Sequence, residues 1–424
     1  MRDVTIIGGG LAGLAAAVRL APRGHRVTIL ESRPRLGGRA SSFTDPATGQ
    51  LVDACQHVSM GCCTEFAELA ETIGVSKFLE KQPTLYFMTP NRRVSRFRRD
   101  PWPAPLHLGR ALAGAHYLSA SEKLRIAWGM ACLLRADAGD APPLRPWLVH
   151  HRQSPRCIAR FWSVVLTSAL NESVENLGLK YARKVFVDGF LKDRDGFVVE
   201  LPTVPLGRLY GEELRAWLTR HNVVVVEDCS VRGIDPAAGS ITLRDGRILK
   251  SETTILAVPF DRVLPLLSPV VAADPFFARI ARLEPSPITS VHFWFDRDVL
   301  PLPHVVLVDC LGQWIFRRDG GYVQVVVSAS AGLKALGREA IERVIRTELL
   351  HLFPAFQTTT LLRSKVVTEQ SATFRAVPGI DALRPTQATP IRGLILAGDY
   401  TQTGWPATME GAVRSGNLAA ELVE

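Results

Sequence analysis

The stretch DVTIIGGGLAGLAAAVRLAPRGHRVTILE, residues 3–31, constrains the fold more than any other part of the chain. VTII is short, continuous and β-branched, as in a strand buried on both faces. LAGLAAAVRLAPRG is rich in alanine and leucine, which favour a helix, and Gly24 ends it. HRVTILE reads as a second buried strand. Two such strands joined by a helix within about 30 residues run parallel, because a parallel pair needs this crossover. At the first turn Gly8 permits the reversal, Gly10 lets a phosphate approach the backbone, and Gly13 lets helix and strand pack closely. The N–H groups at the positive end of the helix then face the phosphates of a dinucleotide. Glu31 ends the second strand where a carboxylate can accept both ribose hydroxyls. Candidate contacts here are Gly8, Gly10, Leu11, Ala12, Gly13, Glu31 and Ser32.

A chain of 424 residues exceeds the roughly 250–300 that a single core holds, so two or three structural units are expected. Its 47% hydrophobic and 21% charged residues are those of a soluble globular protein. The seven cysteines are odd in number and irregularly spaced, which argues against a disulfide framework and for a reducing, cytoplasmic compartment. Cys62 and Cys63, with Cys55 and His57, match no zinc spacing, and no metal is expected. Arg2 before an apolar stretch imitates a secretion signal, but three glycines interrupt it and a second strand follows. A spanning helix needs about 18 uncharged apolar residues, and the nearest approach, 111–134, is broken by Glu122, Lys123 and Arg125. The net charge of +9 owes part of its excess to NRRVSRFRRDPWP, residues 91–103. That run reads as a solvated loop, while Phe97 and Trp102 among the arginines also suit attachment to an anionic membrane surface. No nucleic-acid motif accompanies the charge, so nucleic acid is not an expected partner.

Along the chain, residues 61–190 read as mainly helical, with amphipathic stretches at 64–73, 121–135 and 156–170. Residues 222–259 read as successive strands, with Asp245-Gly246 turning a hairpin. Alternation at 288–295, 304–309 and 322–328 predicts an antiparallel sheet, 336–352 a helix, and 393–398 a last buried strand. The expected organisation is a dinucleotide-binding unit assembled from 1–60, 201–265 and 385–424. A mainly helical substrate- or membrane-facing region occupies 61–200, and a sheet with helices occupies 266–384.

RPRLGGRASS (33–42) adds a second glycine pair, with Gly38 and Arg39 placed to meet the same dinucleotide. Together with the first glycine turn, this element resembles the flavoprotein family of amine oxidases, protoporphyrinogen oxidases and carotenoid desaturases. The resemblance implies an α/β architecture: a Rossmann-like FAD-binding domain of the amine oxidase/desaturase type, with a mixed-sheet and helical substrate domain. It implies FAD as cofactor. AGD (397–399) resembles the family's second flavin fingerprint, so Gly398 and Asp399 are cofactor candidates. ATMEGAVRSG (407–416) resembles the helix whose start, near Met409 and Glu410, faces the flavin pyrimidine ring and supports negative charge there. Val231 matches the position whose backbone meets adenine.

VDACQHVSMGCC (52–63) resembles the D-x-x-Q-H stretch of hydroxysqualene dehydroxylases, with Ala54-Cys55 where asparagine-glycine often stands. SALNES (168–173), ATFRAVPGIDALRP (372–385) and GDYTQTGWPATMEGAVRSG (398–416) extend that likeness. The branch implies reductive dehydroxylation of hydroxysqualene to squalene, within bacterial squalene and hopanoid biosynthesis. Water leaves to give an allylic cation, and N5 of reduced FAD supplies hydride. Such a pocket needs a proton donor and an apolar, water-poor channel. Asp53 and His57 are the candidate donors, Gln56 an orienting partner; a purely structural role for all three is the competing reading. A carotenoid or phytoene desaturase, running hydride the other way, is the first alternative. An amine oxidase and a non-catalytic prenyl-lipid escort of the same fold follow. No second nicotinamide-binding motif stands in the chain, so the electron donor is unassigned.

Overall fold

The computed structural model describes residues 1–137, 139 and 142–423. Its organising element is a parallel sheet built from distant parts of the chain. The strands are β1 (Asp3–Ile7), β2 (Arg26–Leu30), β3 (Val224–Val226), β4 (Thr253–Leu256) and β5 (Leu394–Leu396), in spatial order β3-β2-β1-β4-β5. Every pairing in it is parallel. The strands are short and mostly apolar because both faces are buried: Ile7, Leu30 and Leu256 share a core with Ile234, Ile241 and Leu243 on one side, and helices cover the other. One is α1 (Leu11–Leu20); another is α2 (Met409–Glu421). The two helices pack so closely that a Cβ on Gly416 would lie 2.1 Å from the Ala12 carbonyl oxygen. Between β3 and β4 runs an antiparallel meander of Val231–Asp235, Ser240–Leu243 and Ile248–Lys250, whose last hairpin turns at Gly246 with φ of +90°.

A second, seven-stranded sheet stands beside this unit. Its order is Leu361–Phe374, Pro285–Phe295, Tyr322–Val327, Trp314–Arg317, His304–Leu307, Thr84–Met88 and Val94–Arg98. All pairings are antiparallel except that of His304–Leu307 with Thr84–Met88. One face, carrying Val291, Phe293, Val323, Val325 and Ile315, is buried with Ile341, Ile345 and Leu349 of the helix Arg338–Leu352.

The expectation for 61–200 is corrected where strands stand among the helices, Leu79–Gln82 pairing with Val199–Pro202 for one. Helices do form at Thr64–Ile73, Ala120–Arg135 and Pro155–Leu170, the last through a π turn at Ile158–Trp162. Residues 84–98, however, are a hairpin of the second sheet. The arginine-rich run is therefore strand as well as loop. Arg96 and Arg98 point outward, while the Phe97 ring lies 5.9–6.3 Å from those of Phe87, Phe190 and Phe197. Phe97 is half-buried against the core and is removed from the membrane-facing set; Trp102 is 54% exposed.

Candidate functional site

The first glycine turn closes against β4. A Cβ on Gly8, whose φ is +111°, would lie 2.5 Å from the Ala257 carbonyl oxygen, and one on Gly13 would lie 2.1 Å from that of Gly8. No side chain larger than hydrogen fits either place, which sets α1 hard against the sheet. Gly10 caps α1 without any side-chain hydrogen bond. The N–H groups of Leu11, Ala12 and Gly13 open the helix, where no intrahelical acceptor exists. The second glycine pair lies on the first: Gly37 N–H donates to the Gly9 carbonyl at 2.8 Å, and a Cβ on Gly38 would meet Gly10 Cα at 3.0 Å.

Glu31 is buried at the end of β2. Its Oε2 accepts the Gly9 N–H at 2.7 Å, and its Oε1 accepts the Arg33 N–H at 2.8 Å and the Ser32 hydroxyl at 3.2 Å. Its carbonyl accepts the Cys229 N–H at 2.8 Å, which brings the start of the Val231 strand to the same corner.

The far end of the chain arrives at the opposite side of the cradle. Ala397 N–H donates to the Leu256 carbonyl, and Gly398 N–H to Ser415 Oγ at 2.7 Å. Arg39 bonds Asp399 Oδ1 at 2.6 Å and the Ala372 carbonyl at 2.7 Å, tying both glycine loops to β5 and to the second sheet. The sequence expectation gave Arg39 to phosphate and Asp399 to the flavin; the structure pairs them with each other.

Sequence reasoning missed Arg384, which is fully buried. Its guanidinium donates to the carbonyls of Asp399, Tyr400 and Thr401 and so clamps the turn after β5. Tyr181 and Asp381 hold it from the other side. A buried guanidinium collecting backbone carbonyls has no spacing signature; the one signal was the 372–385 segment, which the resemblance picks out without giving Arg384 a role.

At α2 the side chain of Glu410 does not face the cradle. Its carboxylate accepts the N–H groups of Glu65 and Phe66, at 3.2 and 2.8 Å, and so caps the helix Thr64–Ile73. Arg414 bonds the same carboxylate at 2.8 Å. Met409 lines a narrow cleft with His57, Phe66, Leu206 and Tyr210, so the D-x-x-Q-H loop and the start of α2 share a wall.

Within that loop Asp53 corrects the expectation of a free proton donor. It is buried, with Oδ1 accepting the Ser42 hydroxyl at 2.6 Å and the Leu206 N–H at 2.8 Å, while Oδ2 faces Arg318 at 3.2 Å. Both oxygens are occupied, so this carboxylate braces the loop. His57 Nδ1 meets the Cys55 carbonyl at 3.0 Å. A ring nitrogen facing a carbonyl carries the proton, which leaves Nε2 for the cleft. Burial lowers the His57 pKa below its ordinary value, with the Cys55 carbonyl and Asp53 opposing and Arg39 adding to the fall. Gln56 Nε2 donates to the His57 carbonyl at 3.2 Å, and its buried Oε1 has no partner among the described residues. Burial pushes the Cys55 thiol up to about 12, so it remains protonated and inert. Among the described residues no group of three or more His, Cys, Asp or Glu could hold a metal ion.

The residues present fit FAD. The cradle has glycines at the turn between β1 and α1, a helix start without a side-chain cap, a buried carboxylate at the end of β2, and, in the loop whose His57 shares a cleft with Met409, an unpaired amide oxygen on Gln56.

Residues 11–424 match the family described as Flavin containing amine oxidoreductase. The chain is 29% identical to a protein named Hydroxysqualene dehydroxylase from Sinorhizobium fredii, covering 99% of this chain and 98% of that one. It is 26% identical to a 15-cis-phytoene desaturase from Glycine max, over 99% of this chain and 79% of the relative. The crystal structure of an oxidoreductase from Methanosarcina mazei has the same fold, with a TM-score of 0.74, 16% identity and 99% of each chain covered.

Proposed function

We propose a function for a chain that belongs to the flavin containing amine oxidoreductase family and whose cofactor is FAD: reductive removal of the hydroxyl of hydroxysqualene, giving squalene. The observation that carries this reading is His57 of the D-x-x-Q-H loop sharing a cleft with Met409, in a chain matched end to end by a hydroxysqualene dehydroxylase. In balance, the alcohol and reduced flavin become hydrocarbon, water and oxidised flavin. When bound and reduced, FAD supplies the hydride that replaces the departing oxygen.

The protein's part is to hold the alcohol, protonate its oxygen and keep water out. His57 is assigned as proton donor through Nε2, entering the cycle as imidazolium, while its Nδ1–H stays on the Cys55 carbonyl. Gln56 fixes the loop through the His57 carbonyl. Asp53 orients that loop by way of Ser42, Leu206 and Arg318. Gly8, Gly10 to Gly13, Glu31, Ser32, Gly38, Arg39, Val231, Gly398, Asp399 and the starts of α1 and α2 are assigned to the cofactor.

A desaturase is the second reading, favoured by the phytoene desaturases among the relatives. Two anaerobic incubations separate them. Reduced protein with hydroxysqualene should yield squalene and oxidised flavin. Oxidised protein with phytoene should stay oxidised; reduction of its flavin, with no squalene formed in the first incubation, contradicts the proposal.

The same reading assigns the protein to an anionic membrane surface, where an insoluble substrate is found. No helix among the described residues is long and apolar enough to cross a membrane. Leu124 and Trp128, one turn apart on Ala120–Arg135, are 74% and 56% exposed, and Trp102 and Leu106 are exposed nearby in sequence. The His116 N–H bonds Ser95 Oγ at 3.0 Å, tying this segment to the arginine-rich hairpin. Reversing charge at Arg93 and Arg96 should release the protein from anionic liposomes; unchanged binding rejects the assignment.

A further inference from the structure

The second face of the seven-stranded sheet carries more buried polarity than its packing uses. Across one row, Lys365 pairs with His292, His292 with Gln324, Gln324 with Phe316, and Phe316 with His304. Residues directly opposite in antiparallel pairs share a face. His292, Gln324 and His304 are each 0% exposed. Among the described residues, His292 Nε2, Gln324 Oε1 and both ring nitrogens of His304 have no hydrogen-bond partner. An orphaned buried polar atom costs about 1–3 kcal/mol, and a cluster of them calls for a ligand or ordered water.

Two of these groups are also held in fixed orientation. Gln324 Nε2 donates to Ser290 Oγ at 2.8 Å, which aims the amide oxygen away from Ser290. His292 Nδ1 shares a hydrogen with the Tyr322 hydroxyl at 2.8 Å, and the Trp294 and Tyr322 rings stack at 4.8 Å beside it. Burial lowers the His292 pKa to about 4, with the Ala54 carbonyl opposing and Lys365 adding to the fall, so the ring is neutral near pH 7. When Tyr322 donates to Nδ1, Nε2 carries the free N–H. His304 is different, being walled by the rings of Tyr86, Trp314 and Phe316, with neither nitrogen hydrogen-bonded among the described residues.

The row lies beneath the loop that carries Gln56 and His57. The Cys55 thiol lies against Ser290, and the Ala54 carbonyl approaches the His292 ring, whose Nε2 makes no hydrogen bond among the described residues. Two and three residues further on, His57 and its neighbours reach the cleft shared with Met409.

We infer that His292 and Gln324, supported by Tyr322 and Ser290, form the site that receives the single hydroxyl of an otherwise apolar alcohol. Gln324 Oε1 accepts the alcohol O–H, and His292 Nε2–H donates to its oxygen. One donor and one acceptor suffice for one hydroxyl, and a pure hydrocarbon satisfies neither. The inference rests on the dehydroxylase reading and adds to it the residues that tell an alcohol from its hydrocarbon product.

The test uses flavin-bound, oxidised protein, so that no turnover occurs, and measures binding of hydroxysqualene and of squalene by perturbation of the flavin spectrum. Wild type should prefer the alcohol, and Gln324→Leu should lose roughly 10–100-fold in affinity for it with squalene binding unchanged. His292→Leu, measured in the same way, gives the answer should Gln324→Leu fail to retain flavin. Equal affinity of wild type for both ligands, or an undiminished preference in a flavin-bound variant, overturns the inference. Failure of the reading beneath it looks different: reduced wild type then binds hydroxysqualene without forming squalene.

Discussion

The glycine cradle and the sheet face beneath the Asp53–His57 loop are both lined by buried polar groups, and they treat them in opposite ways. In the cradle, partners are close at hand: Glu31 takes two backbone N–H groups, Arg39 takes Asp399, and Arg384 collects three carbonyls. On the sheet face, His292, Gln324 and His304 keep ring or amide atoms without partners among the described residues. The cradle is fixed by clearance, since a methyl group at Gly8, Gly13 or Gly416 has no room. The sheet face is fixed by chemistry, since its backbone is an ordinary antiparallel ladder and only the side chains are unusual. Changes in the first region should therefore remove the flavin or the fold, and changes near the second should spare both and alter turnover.

The largest effect is expected at Gly13. Gly13→Val places carbon against the Gly8 carbonyl, and a loss above about 4 kcal/mol should leave no folded, yellow protein. Flavin absorbance and circular dichroism of the purified variant check this, and a stable yellow protein breaks the contrast. Next comes His57→Asn, which should keep its flavin and lose roughly 100- to 10,000-fold in rate. The wild-type rate of flavin reoxidation by hydroxysqualene should fall about tenfold per pH unit above the His57 pKa. Because that pKa is lowered from 6.5, imidazolium is the scarcer form at neutral pH and the rate should climb as pH falls toward the pKa. A rate that rises with pH rejects His57 as donor. Third, Glu31→Gln keeps an acceptor for Gly9 but loses the charge; titration of apoprotein with FAD should show affinity weakened about 10–100-fold. The smallest effect is at Glu410. Glu410→Ala leaves the N–H groups of Glu65 and Phe66 unpaired and should cost about 1–3 kcal/mol in urea unfolding, with the flavin spectrum intact.

The cradle was the legible part of the sequence because its constraints are local. Gly8, Gly10 and Gly13 stand between a buried strand and a helix, and the structure has β1, α1 and β2 at those places. The hairpin Thr84–Arg98 was harder to read. Its charge suggests a loop, although Ser95 and Phe97 alternate inward with Arg96 and Arg98 outward. The strand Leu361–Phe374 lies at the sheet edge, and its Arg, Lys, Glu and Gln side chains hide the period of two. Asp53 was read as a candidate proton donor, with a structural role as the competing reading; its engagement by Arg318 spans 265 positions and no local pattern shows it. The polar row is of the same kind. His292, Gln324 and His304 become neighbours only through strand register, and their missing partners are a property of the packed interior.

The most direct test of the whole account is where the new hydrogen of the product comes from. Protein reduced and equilibrated anaerobically in deuterium oxide, so that the exchangeable flavin N5 position carries deuterium, is given unlabelled hydroxysqualene for one turnover. The account predicts squalene with one deuterium on the carbon that lost its oxygen, and one flavin oxidised for each squalene formed. Unlabelled squalene, or a dehydrated polyene formed while the flavin stays reduced, would contradict it.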